Sequence, residues 1–323
     1  MDFKKIEMKY ISFLDPSLVS YNLGNDIIFE EISNSLSCEL GHYFQIRLQF
    51  TDKLGKRSKQ FIKNSEFVIL AGTNSLSSKM ASLEQFRVNI FDTSYLNNIV
   101  LCGVGWWQYE NFPKLLSRKI IQSMLHTNYL HSVRDSYTQD ILHSIGIENV
   151  LNTSCPTLWN ITDEHCKSIE RSKSKNVLFT LTDYSKDRIK DKDLINILKE
   201  NYECLYFWPQ GLGDYGYLQN LLSEEITKIN IINPSLSGLD KFLKDFKCDY
   251  IGTRLHGGIR AIKHGKRTLI LSIDNRAHEI SRDVNLNCIP RERLDDIEDF
   301  IYSDFKTELS LPRENISAWK KQF

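Results

Sequence analysis

The stretch Asp249-Tyr250-Ile251-Gly252-Thr253-Arg254-Leu255-His256-Gly257-Gly258-Ile259-Arg260-Ala261 decides the reading of the chain. Tyr250 and Ile251 end a short apolar run. Gly257 and Gly258 open a segment with Ile259, Ala261 and Ile262 at helical spacing. The pattern predicts strand, tight turn and helix. Thr253, Arg254 and His256 fall at the turn, beside the helix N-terminus. Such a turn gathers unbonded backbone N–H groups and a partial positive charge, which suits an anion. Glycines at Gly257 and Gly258 allow close approach to the backbone. Arginine adds a permanent bidentate cation, and histidine a side chain whose proton moves near neutral pH. Arginine and histidine also serve ordinary βα turns as surface charges or caps. Residue types alone leave that bland reading slightly ahead; the surrounding pattern displaces it.

A chain of 323 residues suggests two domains at roughly 100–200 residues each. The formal net charge is zero, so nothing global favours nucleic acid or an anionic surface, and any anion site is local. The cysteines, Cys38, Cys102, Cys155, Cys166, Cys204, Cys248 and Cys288, are scattered and include no C-x-x-C pair. That spacing reads as reduced thiols of a cytoplasmic protein, with neither a disulfide framework nor a metal site. The charged start, Met1 to Tyr10, does not read as a signal peptide. The longest apolar stretch, around Ile99–Trp107, is too short for a transmembrane segment.

Taken in order, Tyr10–Leu14 reads as a strand and Asp26–Leu40 as a helix capped by Asn25 or Asp26. Strands follow at Tyr43–Phe50, Phe67–Leu70, Ile99–Val104 and Tyr129–Val133, and extended structure resumes at Val150. Most end in small or polar residues, the rhythm of a doubly wound α/β domain with ligands beyond the carboxyl ends of its strands. Asn160–Lys175 is polar and reads as a linker. A second strand series then runs through Val177–Leu181, Cys204–Trp208, Ile229–Ile232, Tyr250–Gly252 and Thr268–Ile273. Its strand ends carry Gln210 on a loop whose Gly211 and Gly213 read as mobile and open, and Asp274-Asn275-Arg276. The expected fold is α/β, with two Rossmann-like domains facing a cleft. Residues 1–160 form the first domain, 176–300 the second, and 301–323 a helical tail packing back on the first.

In this order the motifs resemble the polysaccharide pyruvyl transferase family. The resemblance rests on Asn22-Leu23-Gly24-Asn25-Asp26, Ala71-Gly72-Thr73-Asn74-Ser75, Val133-Arg134-Asp135-Ser136, Cys155-Pro156-Thr157-Leu158-Trp159 and, most specifically, Gly252-Thr253-Arg254-Leu255-His256-Gly257. Three positions depart from it. Asn25 stands where many members have an acid, Thr73-Asn74 replaces glycines, and Cys155 stands where Asp-Pro is common.

The resemblance implies the glycosyltransferase-B type of fold. It implies transfer of a pyruvyl group from phosphoenolpyruvate to two hydroxyls of a sugar, giving a ketal and phosphate during cell-surface polysaccharide synthesis. Phosphoenolpyruvate is then a co-substrate, with no cofactor and no metal. The acceptor is a sugar or a lipid-linked oligosaccharide, which the enzyme would meet in the cytoplasm or at the inner membrane face. On this reading His256 is the general acid/base and Arg254 holds the donor anion. Thr253, Gly257, Gly258, Gln210 and Arg276 complete the donor side, and Asn22, Asp26, Thr73, Asn74 and Arg134 meet the acceptor. For Arg134, beside Asp135, a structural ion pair is an equal reading. Two alternatives stand beside this one: a glycosyltransferase using a nucleotide sugar on the same fold, and a non-catalytic glycan-binding member.

Overall fold

The computed structural model describes residues 8–50 and 54–323. The charged start read at residues 1–7 lies outside them. The chain forms two compact units. Unit 1 takes the described residues up to Val19, then Ile28–Trp159 and Pro312–Phe323, and unit 2 takes Ser20–Ile27 and Asn160–Leu311.

Unit 1 begins with β1 (Tyr10–Leu14), the greater part of α1 (Leu23–Ser35), β2 (Phe44–Leu48), α2 (Lys56–Asn64) and β3 (Val68–Ala71). It continues through β4 (Ile99–Cys102), α3 (Leu115–Met124), β5 (His131–Val133), α4 (Ser136–Ser144) and β6 (Val150–Asn152). The order β2-β1-β3-β4 is parallel throughout, and β5 pairs with β6, also parallel. Parallel strands covered on both faces need unbroken apolar sequence, which Val68–Ala71 and Ile99–Cys102 supply with every residue buried. Phe44–Leu48 carries Gln45 and Arg47, and it forms the edge.

Unit 2 contains α5 (Asp163–Ser168), β7 (Asn176–Thr180), α6 (Arg188–Asn201), β8 (Cys204–Phe207), α7 (Asp214–Leu222) and β9 (Asn230–Ile231). Then come α8 (Leu236–Asp245), β10 (Asp249–Gly252), α9 (Leu255–Lys263), β11 (Thr268–Ser272), α10 (Asn275–Val284), β12 (Cys288–Pro290) and α11 (Asp296–Tyr302). The last helix, α12 (Arg313–Lys320), belongs to unit 1, where the Trp319 indole donates to the Leu130 carbonyl at 2.9 Å. The parallel sheet order of unit 2 is β12-β11-β10-β7-β8-β9. Numbered within the unit, this is the 3-2-1-4-5-6 arrangement of a Rossmann fold. Its winding reverses between β7 and β10, so the loops leaving those two strands diverge and leave a crevice. Unit 2 therefore presents its ligand position at the ends of Thr180 and Gly252.

The protein is thus α/β, with a parallel sheet in each unit. Helix α1 begins at Leu23, three residues before the expected start, because Asn22 Oδ1 takes the Gly24 amide at 2.9 Å and does the capping assigned to Asn25 or Asp26. The stretch read as a linker includes α5, capped by Thr162. Among the described residues no helix is long and apolar enough to cross a membrane.

A histidine lies in the core of unit 1. His131, on β5, is fully buried. Its Nδ1 accepts from the Leu101 amide at 3.3 Å and its Nε2 faces the His126 carbonyl at 3.0 Å, which a neutral ring protonated on Nε2 satisfies. Burial pushes its pKa from 6.5 to about 4. Because the folded value lies below the unfolded one, this contribution is intact above pH 6.5 and is lost as pH falls toward 4. The loss is on the order of 3 kcal/mol. Urea midpoints of unit 1 across this range should fall for the natural chain. They should fall less for His131→Asn, which keeps an acceptor for Leu101 but cannot take up the proton; parallel curves would rule His131 out.

Candidate active site

The crevice of unit 2 is lined by the loop after β7, the loop after β8 and the turn between β10 and α9. The turn is tight because β10 ends in Gly252, where a Cβ would lie 2.3 Å from Thr180 Oγ1 and 2.7 Å from the Thr180 amide. The buried Tyr250 hydroxyl donates to the Arg254 carbonyl at 2.7 Å and lies 2.7 Å from Thr180 Oγ1. Thr253 Oγ1 meets Thr182 Oγ1 at 2.8 Å. The two central strands are therefore stitched together at their carboxyl ends.

Arg254 is buried, and its guanidinium turns into unit 2. Nε donates to Asp214 Oδ2 at 3.0 Å and to the Leu181 carbonyl at 3.3 Å, while Nη2 donates to Asp214 Oδ1 and, at 3.0 Å, to Asp183 Oδ1. Asp214 is fully buried in the first turn of α7 and also accepts from the amides of Gly211 at 2.7 Å and Asp183 at 3.1 Å. Burial pushes the Asp214 carboxyl up, and the Arg254 charge with these two amides works against that rise. The fork thus serves two carboxylates first; Nη1 lies outside these bonds. The exposed ring of Tyr184 covers the guanidinium, 5.0 Å from Cζ to centroid.

His256 is buried in the first turn of α9. Asn22, Gly24 and Gln210 stand beside it. Gln210 is buried, which corrects the expectation of a mobile, open loop. Its Nε2 donates to Asn22 Oδ1 at 2.9 Å, and its Oε1 accepts from the Gly257 amide at 3.0 Å. The loop glycines give clearance. A Cβ on Gly211 would lie 2.3 Å from Arg254 Nη2, and one on Gly213 would lie 2.2 Å from Asp183 Oδ2. A Cβ on Gly24 would come within 2.6 Å of Gln210 Nε2 and 3.3 Å of His256 Nδ1. Gly257 thus gives its amide to Gln210. At Gly258 a Cβ would press on Ile270 and Tyr250, so that glycine seats α9 on the sheet.

Arg276 lies at the rim in the first turn of α10. Nε pairs with Asp274 at 2.9 Å, and Nη2 with Asp274 and the Tyr184 hydroxyl. It is a neutralised cation, not a bare one. Asn22 and Asp26, expected with the first domain, group with unit 2, since the Leu23 amide bonds to the Gln210 carbonyl at 2.9 Å. Thr73, Asn74 and Arg134 meet in unit 1. Thr73 holds φ +60°, which a glycine would take at less cost. Arg134 is buried and bonded to Asn74 Oδ1 and, at 3.3 Å, to Asp135. It braces the loop after β3, the structural ion pair that is an equal reading of the sequence. Cys155 is buried, and burial pushes its thiol up.

The model of the family described as polysaccharide pyruvyl transferase matches residues 21–275. The chain belongs to that family. The match takes in Asn22 through Asn275, and so the whole of the Arg254–His256 turn with its partners. No curated protein matches this pyruvyl transferase family member in sequence. Among solved structures, a Methanocaldococcus jannaschii UDP-GlcNAc 2-epimerase in complex with UDP-GlcNAc and UDP is similar in fold. It has a TM-score of 0.51 and 13% identity, over 98% of each chain. S. aureus MnaA with UDP has a TM-score of 0.50 and 12% identity, over 95% of this chain and 92% of that one. These neighbours place the family member in the two-domain, Rossmann-like glycosyltransferase-B type of fold.

Asp214 does not stand out in the sequence, and Asp183, Tyr184, Tyr250 and Asp274 do so only as members of a strand end or its loop, with no role attached. Asp214 follows Gly213 at a helix start and Asp183 lies in the loop after a strand, common places for an aspartate; only the arginine from a distant strand marks them. Asp214→Asn should destabilise unit 2 by about 3–5 kcal/mol, since it leaves a buried guanidinium short of charge. Asp183→Asn, at a partly exposed carboxylate, should cost about 1 kcal/mol or less. Urea denaturation orders the two, and equal midpoints would refute the dominance of Asp214.

Proposed function

We propose that this family member transfers the pyruvyl group of phosphoenolpyruvate to two hydroxyls of a sugar. The observation that carries the reading is the convergence of buried His256 and Arg254 at the switch point of unit 2, inside the region matching the family. Unit 2 is then the donor side. Arg254 Nη1, the nitrogen outside the bonds to Asp183, Asp214 and Leu181, meets the donor anion, and the amides opening α9 add positive potential. The bonds to Asp214 hold the guanidinium in place before the donor arrives, so little reorganisation accompanies charge development.

The proton balance suits one shuttle. The two hydroxyls of the acceptor lose two protons. One converts the enol methylene to a methyl group, and the other leaves on phosphate as the C–O bond to phosphate breaks. His256 takes a hydroxyl proton as that oxygen bonds to C2, and it returns a proton to the methylene carbon or the departing phosphate. General acid/base catalysis of this kind is worth ~10²–10⁴-fold. No cofactor enters the sequence of steps.

A nucleotide-sugar donor is the second reading. Both rim and buried arginines already carry carboxylate partners, and the two fold neighbours above hold UDP. Incubation of the protein with a sugar acceptor and either phosphoenolpyruvate or UDP-sugars separates the two by free phosphate against free UDP. Phosphate release is the expected outcome. His256→Ala should lower it by about 10²-fold or more with an unchanged melt, and His256→Gln should not restore it, because an amide cannot shuttle a proton. Near-normal release from a folded His256→Ala protein would overturn the assignment, and UDP release alone would overturn the donor.

A further inference from the structure

Unit 1 carries large apolar side chains where water should select against them. Leu115 and Leu116 open α3, whose opposite face is buried through Ser117, Ile120, Ile121 and Met124. Leu115 is 65% exposed, and Phe112, just before the helix, is 58% exposed. Packed against α3 is a 3₁₀ turn, Ile90–Ser94, whose Phe91 is 85% exposed. Scattered exposed leucines need no explanation, but apolar side chains gathered on adjoining elements mark a surface that meets something.

The surrounding charge says what. The stretch Phe112-Pro113-Lys114-Leu115-Leu116-Ser117-Arg118-Lys119 has three cations and no acid. Arg118 lies over the Phe112 ring, 5.4 Å to the centroid. Helix α2 reads Lys56-Arg57-Ser58-Lys59-Gln60-Phe61-Ile62-Lys63-Asn64, again without an acid, and Lys59 Nζ sits 4.6 Å from the centroid of Tyr95 at the end of the 3₁₀ turn. Arg87 adds a further cation. The nearby acids are fewer than the cations: Asp92, which accepts from the Asn89 amide and the Tyr95 hydroxyl, and Glu110, which accepts from Ser77 and the Ser78 amide, each keep a negative charge. Glu84 adds one exposed negative charge. In a chain of zero net charge this is a strong local excess.

We propose that this face of unit 1 docks on an anionic lipid bilayer. Phe91, Phe112, Leu115 and Leu116 would enter the headgroup–acyl boundary, while the lysines and arginines of α2 and α3 would stay among the headgroups. Apolar side chains ringed by long cations are what an interfacial, non-spanning contact requires. A protein partner with an acidic, apolar surface is the competing occupant. The lipid is favoured because the cations are long, numerous and spread over two helices.

The test is co-sedimentation of the full chain with vesicles, and it needs no turnover. Vesicles of phosphatidylcholine with about 30 mol % phosphatidylglycerol should retain the protein, and phosphatidylcholine alone should not. Raising salt to about 1 M should weaken retention. Phe112→Ser/Leu115→Ser/Leu116→Ser should lower the partition coefficient about tenfold or more, and Lys114→Glu/Lys119→Glu should remove the preference for anionic lipid. All five positions are exposed, so thermal melts should stay within a degree or two. Absence of binding to anionic vesicles, or binding indifferent to both variants, would overturn the proposal. So would an oligomer lost in the triple variant without any vesicle binding, which would make the face a protein interface.

Discussion

The ion pair between Arg254 and Asp214 sets the shape of the crevice in unit 2. A guanidinium and a carboxylate without solvent must satisfy each other's hydrogen bonds or bear a large desolvation cost. Satisfying them draws three segments together. Arg254 comes from the end of β10, Asp214 from the start of α7, and Asp183 from the end of β7. The approach is so close that a side chain on Gly211 or Gly213 would push Arg254 or Asp183 out of these bonds. Gln210, held between these glycines and Asn22, then caps α9 through Gly257. His256 is positioned at the end of this chain of constraints.

Much of the fold is legible in local sequence. Parallel strands buried on both faces are short apolar runs, and those at β3, β4, β7, β10 and β11 stand out without help from partners. Several helices do not stand out, α2 and α5 among them. Helix α3 exposes leucines at its first turn, which spoils its amphipathic pattern. Helix α7 lies among Gly213, Gly216 and two tyrosines, a composition that reads as loop. Helix α10 buries Ala277, Ile280 and Val284 but is otherwise polar. Strand order is not written locally at all, because each pairing joins residues far apart in sequence.

The site divides the same way. Arg254 and His256 announce themselves because turn, glycines and helix start occupy one short stretch. Their partners do not, since Asp183 and Asp214 acquire meaning only when the sheet order brings β7 beside β10. The glycines near Gln210 were legible as glycines but not as to purpose. Conformational freedom and steric clearance leave the same mark in a sequence, and only the neighbour at 2.3 Å distinguishes them. Arg134 shows the reverse case. A conspicuous cation beside a strand end proves to be a brace, because Asn74 and Asp135 take its bonds inside the fold.

Stability alone does not explain why unit 2 keeps a buried arginine with two carboxylates. Replacing such a group by well-packed apolar side chains is often neutral or stabilising, so the charges answer a different need. A lysine would keep the charge, but it could not bond Asp214 and Asp183 at fixed angles while leaving one edge of a plane in reserve. A guanidinium does both. Two of its nitrogens anchor it to the fold, and the third keeps a fixed direction with no rotamer freedom left to lose. The carboxylates also reduce the net charge of the crevice, so on the proposed function an arriving anion would be selected by the geometry of a few donors more than by bulk attraction. Binding by geometry of this sort favours whichever charge distribution fits the fixed donors best, which is the condition for holding a transition state more tightly than a ground state.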